Sequence, residues 1–140
     1  MKKLNYLYIV IVFLIFESLR AEANNFEAGK NFFEKKNYDL AKLKFEQDIV
    51  FNPKSELSYL YLSKIFNKQD KKELEEQNLN TVILLNPKNE EAIYSLAKLK
   101  LKNSDFQKSR ELNERLGDLC IKFCEKSSKL KKEIENLSKK

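Results

Sequence analysis

Apolar residues recur every three or four positions along most of this chain. The stretch before Pro53 carries Leu40, Ala41, Phe45 and Ile49, and the stretch before Pro87 carries Leu74, Leu79, Val82 and Ile83. This spacing places the apolar side chains on one face of an α-helix. The pattern predicts helices at residues 24–36, 39–51, 56–67, 70–84, 90–102, 105–119 and 122–138.

The chain also repeats itself at a longer period. A similar four-residue segment occurs twice, as Phe51-Asn52-Pro53-Lys54 and as Leu85-Asn86-Pro87-Lys88. The two prolines lie 34 residues apart. Proline cannot continue a helix, so each marks the end of one helix and the start of a connection. The period predicts three helix pairs in series at residues 24–55, 56–89 and 90–120, followed by a C-terminal helix in 121–140.

The turns inside the pairs contain residues that commonly begin helices. Asp70 with Glu73, and Ser104 with Gln107, have the spacing of capping boxes, in which two side chains satisfy backbone N–H groups at a helix start. Lys36-Asn37 occupies the same place in the first pair with a weaker signal. We therefore predict that Asp70 and Ser104 cap the second helices of their pairs.

These features resemble the tetratricopeptide repeat family, whose 34-residue unit carries small and large residues at fixed positions. The matching residues are Ala28, Gly29, Phe32, Tyr38, Ala41, Phe45 and Pro53 in the first copy, Tyr59, Leu62, Ser63, Phe66 and Pro87 in the second, and Leu96, Ala97, Phe106 and Ser109 in the third. Glu75 departs from the pattern, because the family has Ala there. The resemblance implies an all-α, right-handed α-solenoid of about three helix-turn-helix hairpins, with 121–140 as a capping helix. A generic antiparallel helical bundle is the alternative.

The composition argues against catalysis. The chain has no His, which removes the common general acid–base residue and most zinc sites. The two glycines, Gly29 and Gly117, lie within predicted helices, so no glycine-rich loop is present to bind phosphate. We expect no enzyme activity, no metal and no cofactor. With only three Arg among 27 basic residues and both charge signs interleaved, we also expect no nucleic-acid partner.

The first 23 residues have the features of a secretory signal peptide. Lys2 and Lys3 precede an apolar run over residues 6–16, and Ala21 and Ala23 provide the small residues that signal peptidase reads before Asn24. The run is shorter than the roughly 20 residues of a membrane-spanning helix. We expect cleavage after Ala23 and a periplasmic protein of a Gram-negative-type bacterium. An uncleaved segment anchored in the inner membrane is the alternative.

In the tetratricopeptide family, the first helices of successive hairpins line a groove, and the resemblance implies the same here. The predicted partner-binding residues are the apolar row Phe26, Leu60 and Tyr94, the basic row Lys30, Lys64 and Lys98, and Phe33. Residues four apart lie on the same helix face, so the two rows adjoin. They suit a protein or peptide segment with apolar anchors and acidic residues. Ordinary solvated lysines are the competing interpretation.

Cys120 and Cys124 are the only cysteines. In an exported protein we expect them to form a disulfide, and similar pairs follow the last repeat in some exported members of the resembling family. Two reduced, buried thiols and a redox pair are the alternatives. The sequence thus predicts an interaction scaffold of the cell envelope, with a thiol–disulfide accessory protein or a membrane-tethered structural subunit as competing functions.

Overall fold

The structure is a computed structural model that describes residues 25–139. The described residues form seven helices and no strand: α1 (25–34), α2 (Tyr38–Phe51), α3 (Glu56–Lys68), α4 (Lys72–Leu85), α5 (Glu90–Lys102), α6 (Phe106–Leu119) and α7 (Cys124–Leu137). The all-α prediction is confirmed. Helices α2 and α4 end one residue before the Asn-Pro pairs, with Asn52 and Asn86 as their C-caps, as the proline spacing predicts. The chain divides into two compact units, with the boundary between Ser58 and Tyr59.

The first unit is held together by aromatic contacts between α1 and α2. Phe45 is fully buried, and its ring centroid lies 5.8 Å from that of Phe26. Gly29 faces Phe45 so closely that a Cβ atom at Gly29 would lie 2.8 Å from Cε1 of the ring. At the other end of the pair, Phe33 meets Tyr38 edge to face at 5.6 Å. Glycine is therefore required for the close approach of the two helices.

A buried polar cluster closes the connection after α2. The Asp48 carboxylate accepts hydrogen bonds of 2.5 Å from both the Ser55 and the Ser58 hydroxyl. Ser58 is fully buried and Asp48 is 8% exposed. Because buried carboxylates are costly unless they are hydrogen-bonded, these hydroxyls offset the burial of Asp48. The cluster fixes the start of α3 against the end of α2.

The second unit contains one apolar core formed by α4, α5, α6 and α7 together with part of α3. Its members are Leu60, Leu79, Val82, Ala92, Ile93, Leu96, Ala97, Leu99, Leu101, Leu112, Leu116, Leu130 and Ile134. Leu130 and Ile134 of α7 are 1% exposed, whereas most other residues of that helix are exposed. Helix α7 therefore has the single apolar face expected of a cap.

The turns inside the three hairpins share one backbone conformation. Lys36, Asp70 and Ser104, spaced 34 residues apart, have φ values of 59°, 53° and 61°. In each turn the residue that follows donates its backbone N–H to the carbonyl five positions earlier, over 2.9 Å. This is a Schellman ending, in which a left-handed residue stops the preceding helix. None of the three is glycine, the residue that adopts this conformation most readily.

The predicted capping boxes at Asp70 and Ser104 are wrong. Both residues end the preceding helix, so the N-cap of the next helix falls one residue later. Asn37 and Asp105 are N-caps whose side chains accept from the backbone N–H of Leu40 and Lys108, at 3.4 and 3.1 Å. Lys71 occupies the N-cap of α4 without a side-chain hydrogen bond, since an ammonium group cannot accept one.

Candidate binding surface and the Cys120–Cys124 junction

The predicted groove residues divide between the two units. In the first unit, Phe26 is half-buried against Phe45, Lys30 is partly exposed on α1, and Phe33 is half-buried beside Tyr38. All three lie on α1, the first helix of its hairpin. That they contact a partner stays a prediction.

In the second unit, the basic row is partly occupied by contacts within the protein. Lys64 Nζ forms an ion pair of 2.9 Å with Glu91 and lies 4.9 Å from the centre of the Tyr61 ring. Lys98 is exposed on α5. The ion pair neutralises part of the charge of Lys64 and holds the side chain in place. Because both partners of the pair remain about one-third exposed or more, a carboxylate from another molecule can compete with Glu91.

The two apolar positions of the second unit differ in exposure. Leu60 belongs to the apolar core and is only 4% exposed, so it serves packing and offers little surface. Tyr94, at the same repeat position 34 residues later, is partly exposed. Its ring lies 5.6 Å from that of Phe123. An apolar contact for a partner in this unit therefore depends on Tyr94 and not on Leu60.

Helix α7 adds residues to this surface that the sequence analysis did not single out. Lys126 Nζ lies 4.0 Å from the centre of the Phe123 ring and 5.4 Å from that of Tyr94. Such contacts place a cation against aromatic faces and contribute about 0.5–1 kcal/mol when exposed. The result is an aromatic and basic surface formed by Tyr94, Phe123 and Lys126. The only signal in the sequence was that Phe123 lies beside the cysteines.

The two cysteines lie where α6 gives way to α7. Cys120 is the C-cap of α6 and Cys124 is the first residue of α7. Their sulfur atoms are at disulfide distance, and their Cα atoms are 5.1 Å apart. The chain turns between them, which brings the two Cα atoms within the range that a disulfide spans.

The same turn is anchored by Glu90, the first residue of α5. Its carboxylate accepts three backbone hydrogen bonds, from Ile121 at 2.7 Å, Lys122 at 2.9 Å and Phe123 at 2.7 Å. Partial burial raises the pKa of Glu90, but the three N–H donors together with the charge of Lys122 outweigh that effect and lower it. Donors that favour the ionised form act in this direction. Glu90 thus holds the cysteine turn against α5, a role that sequence reasoning missed.

A second carboxylate, Glu75 on α4, lies in the opposite kind of environment. It is 5% exposed, and its two oxygens accept from the Asn67 amide at 3.0 and 3.1 Å. Burial raises the pKa of Glu75, against the opposing influences of Asn67 and the charge of Lys102. The departure from the family pattern at this position therefore places an acid in the interior of the hairpin.

Among residues 25–139, no group of three or more potential ligands could hold a metal ion. Within the same range, no helix combines the length and the apolar character needed to cross a membrane. The predicted signal peptide, with Ala21, Ala23 and Asn24 at its cleavage site, lies outside the described residues.

No protein-family model and no curated protein sequence matches this chain. Solved structures match it in fold. The first tetratricopeptide domain of Spaghetti (RPAP3), bound to the HSP90 peptide SRMEEVD, has a TM-score of 0.75 and 17% identity, over 85% of this chain and 94% of that one. The TPR2B domain of yeast Sti1, in complex with pHsp70, has a TM-score of 0.76 and 13% identity, over 83% and 97%.

A bacterial structure is similar to the same extent. The Yersinia enterocolitica type III secretion chaperone SycD, in complex with a peptide of the translocator YopD, has a TM-score of 0.74 and 15% identity, over 84% of this chain and 94% of that one. At such low identities the likeness concerns the fold. The chain has the tetratricopeptide repeat fold, and the resemblance seen in its sequence is confirmed at that level.

Proposed function

We propose that this protein is a non-catalytic scaffold that binds an extended or helical segment of another protein. The observation that carries the proposal is the surface of the second unit on which Tyr94, Phe123 and Lys126 meet. Aromatic rings provide apolar contact area, and the ammonium group beside them favours acidic side chains. Lys64 and Lys98, on the first helices of their hairpins, extend the basic character.

The similar structures support a peptide as the occupant. RPAP3 holds the peptide SRMEEVD, and SycD holds a peptide of YopD. The first of these peptides contains two Glu and one Asp, the charge that a row of lysines would attract. Some members of the tetratricopeptide family clamp the terminal carboxylate of a peptide with Lys and Asn. The resemblance places Phe26, Tyr61, Glu91 and Ser95 at the corresponding positions of this chain, so the clamp is not reproduced here. We therefore propose an internal acidic and apolar segment as the partner, and not a chain terminus.

We further propose that the protein acts in the periplasm of a Gram-negative-type bacterium. The support is the signal-like segment over residues 1–23, with its basic start, apolar run and Ala-x-Ala ending. The cysteine pair is consistent with an oxidising compartment. Retention of residues 1–23 on the native protein, measured by mass spectrometry, would instead support a membrane-tethered subunit.

The binding surface can be tested by crosslinking in cells. A photoreactive phenylalanine analogue replaces Tyr94, and adducts formed in the periplasm are identified by mass spectrometry. We expect a specific adduct that is lost when Lys64→Glu and Lys98→Glu, which lie in the same unit as Tyr94, are combined. A matched control exists, because Lys54 and Lys88 also lie 34 residues apart, but in the connections between hairpins. Reversal of that second row should leave the adduct intact; equal loss in both sets would contradict the proposal.

For the cysteine pair, we propose a structural disulfide that holds the turn between α6 and α7. The supporting observation is that the enclosed residues are also bound to Glu90 by three backbone hydrogen bonds. An exchange-active pair needs a mobile turn; Cys124 is exposed, but these three hydrogen bonds restrain the turn that carries it. Titration of the unfolded periplasmic protein should find no free thiol. A mixed disulfide trapped by Cys124→Ser would support the alternative of a thiol–disulfide accessory protein.

A further inference from the structure

The outer face of α2 exposes an unusual amount of apolar surface. Leu40, Leu43, Val50 and Phe51 are 42%, 47%, 75% and 57% exposed. Their spacing places them on one side of the helix, roughly opposite the buried residues Ala41 and Phe45. We call these four residues the α2 stripe. From Leu40 to Phe51 it extends along about three turns of helix.

The fold itself does not require apolar residues at these positions. One repeat length further along, α4 has the exposed residues Leu74 and Leu84 at the positions of Leu40 and Val50, but Gln77 at that of Leu43. Two repeat lengths further along, the residues equivalent to Leu40, Leu43 and Val50 are Lys108, Glu111 and Asp118. These three are exposed and charged, and α6 is nonetheless a regular helix. The hairpin therefore does not require apolar residues at these positions, and among α2, α4 and α6 only α2 is apolar at all four. Contiguous exposed apolar patches of this kind mark interaction surfaces.

Charges along one edge of the stripe point to the partner. Lys42 and Glu46 form an exposed ion pair of 3.8 Å, one helical turn apart. If a second α2 packs antiparallel across a two-fold axis centred near Lys44, the same edge of each helix meets. Lys42 of one copy then faces Glu46 of the other, twice, while Leu40 and Leu43 approach Val50 and Gln47 of the second copy. In this orientation, the edge that carries Lys42 and Glu46 therefore meets opposite charges on the same edge of the second copy.

The overall charge of this part of the chain favours the same partner. Residues 25–58 contain six lysines and six carboxylates, so two copies of this region do not repel each other. An anionic lipid surface would gain little attraction from a region without net charge. We propose that the α2 stripe is a homodimer interface, formed by antiparallel packing of α2 against α2 of a second copy. This inference is independent of the partner-binding function proposed above.

Sedimentation velocity over a concentration series tests the interface. We expect the wild-type protein to pass from monomer to dimer, and Leu43→Glu combined with Val50→Glu to raise the dissociation constant about tenfold or more. Leu84→Glu is the matched control, because Leu84 is an 80% exposed apolar residue on α4 at the repeat position of Val50. Circular dichroism checks that each variant is folded. A monomer at all concentrations up to about 1 mM overturns the proposal, as does equal weakening by Leu84→Glu.

A charge exchange tests the orientation. Lys42→Glu alone and Glu46→Lys alone should each weaken the dimer, since each places like charges opposite one another. Lys42→Glu and Glu46→Lys combined in one chain restore opposite charges at both contacts of the antiparallel dimer, so we expect this double variant to dimerise as the wild-type protein does. In a parallel pair Lys42 would face Lys42 and Glu46 would face Glu46, and a single reversal would only exchange one like-charge contact for another. Single variants that dimerise as well as the wild-type protein therefore contradict the antiparallel interface.

The N-terminal segment, residues 1–23, is another candidate for covering the α2 stripe. Sedimentation velocity of the full chain and of the chain beginning at Asn24 tests this. We expect both forms to dimerise through α2. If only the shortened chain dimerises, the N-terminal segment covers the stripe in the full protein, and the stripe is not a homodimer interface in that form. In that case the N-terminal segment of the same chain, and not a second copy, contacts the α2 stripe.

Discussion

The backbone N–H of Phe123 donates a hydrogen bond of 2.7 Å to the carboxylate of Glu90, 33 residues earlier in the chain. Ile121 and Lys122 donate to the same carboxylate, so one side chain accepts from three consecutive amides. Through these bonds the first turn of α5 positions the cysteine turn and, with it, the Phe123 ring against Tyr94. Glu90 therefore anchors the segment that leads into α7.

Replacing Glu90 by Gln should destabilise the protein at neutral pH. The difference in free energy of unfolding between the wild-type protein and the variant should depend on pH. The folded-state pKa of Glu90 is lowered from its ordinary value of 4.5. Its contribution is therefore complete above pH 4.5 and is lost as the pH falls through the folded-state pKa. Urea unfolding of both proteins from pH 7 to pH 3 measures this difference. Glu114→Gln, an exposed site on α6, is the control for the loss of a surface carboxylate and should leave the stability at pH 7 nearly unchanged.

Replacing Glu75 by Gln should have the opposite effect. Burial raises the pKa of Glu75, so the folded state bears the cost of the charged form at neutral pH. We therefore expect Glu75→Gln to be more stable than the wild-type protein at pH 7. The gain should shrink as the pH falls towards 4.5, the ordinary value, because wild-type Glu75 becomes protonated. Lower stability of the variant at every pH would show that the ionised Asn67–Glu75 contact is net stabilising.

Lys36→Gly should stabilise the first hairpin. Lys36 has a φ of 59°. This left-handed conformation is unfavourable for residues with a Cβ atom, whereas glycine adopts it without strain. After the greater entropy of glycine in the unfolded chain is subtracted, we expect a gain of about 0.5–1 kcal/mol. Lys35→Gly, one residue earlier and without positive φ, should destabilise instead. Thermal unfolding of the two variants distinguishes the conformational effect from the loss of a lysine.

The two glycines should respond to alanine in opposite ways. At Gly29 a Cβ atom would lie 2.8 Å from the fully buried Phe45 ring, so Gly29→Ala should destabilise by about 1–3 kcal/mol. At Gly117 the nearest atom would be Ser127 Oγ at 3.6 Å, an ordinary contact. Gly117→Ala should therefore stabilise α6 by about 0.5–1 kcal/mol through helix propensity. Equal effects at the two sites would contradict the close approach of α1 and α2.

Local and tertiary interactions both contribute to the stability of this protein. The effects predicted at Lys36 and Gly117 follow from backbone conformation and propensity, whereas those predicted at Glu90, Glu75 and Gly29 follow from contacts made on folding. Periodicity alone could not have identified the second group. Glu75 was visible in the sequence only as a departure from the repeat pattern, with no indication of its contact with Asn67.

The sequence by itself determined the helices, the ends of α2 and α4 before the Asn-Pro pairs, and the 34-residue period, because all of these depend on interactions between residues near in the chain. It did not reveal that Asp70 and Ser104 end helices instead of starting them. Their side chains suit an N-cap, and the left-handed conformation that excludes that role is set by the Schellman hydrogen bonds to the preceding helix.

Only the tertiary structure decided which residues of the predicted rows form a surface. Leu60 and Tyr94 hold the same repeat position, but Leu60 joins the core while Tyr94 lies against Phe123 and Lys126 near the start of α7. Likewise, the Glu90 anchor joins residues more than 30 positions apart. Exposure and hydrogen bonding at these positions depend on which helix packs alongside, and a repeat period specifies the position within a hairpin without specifying that neighbour.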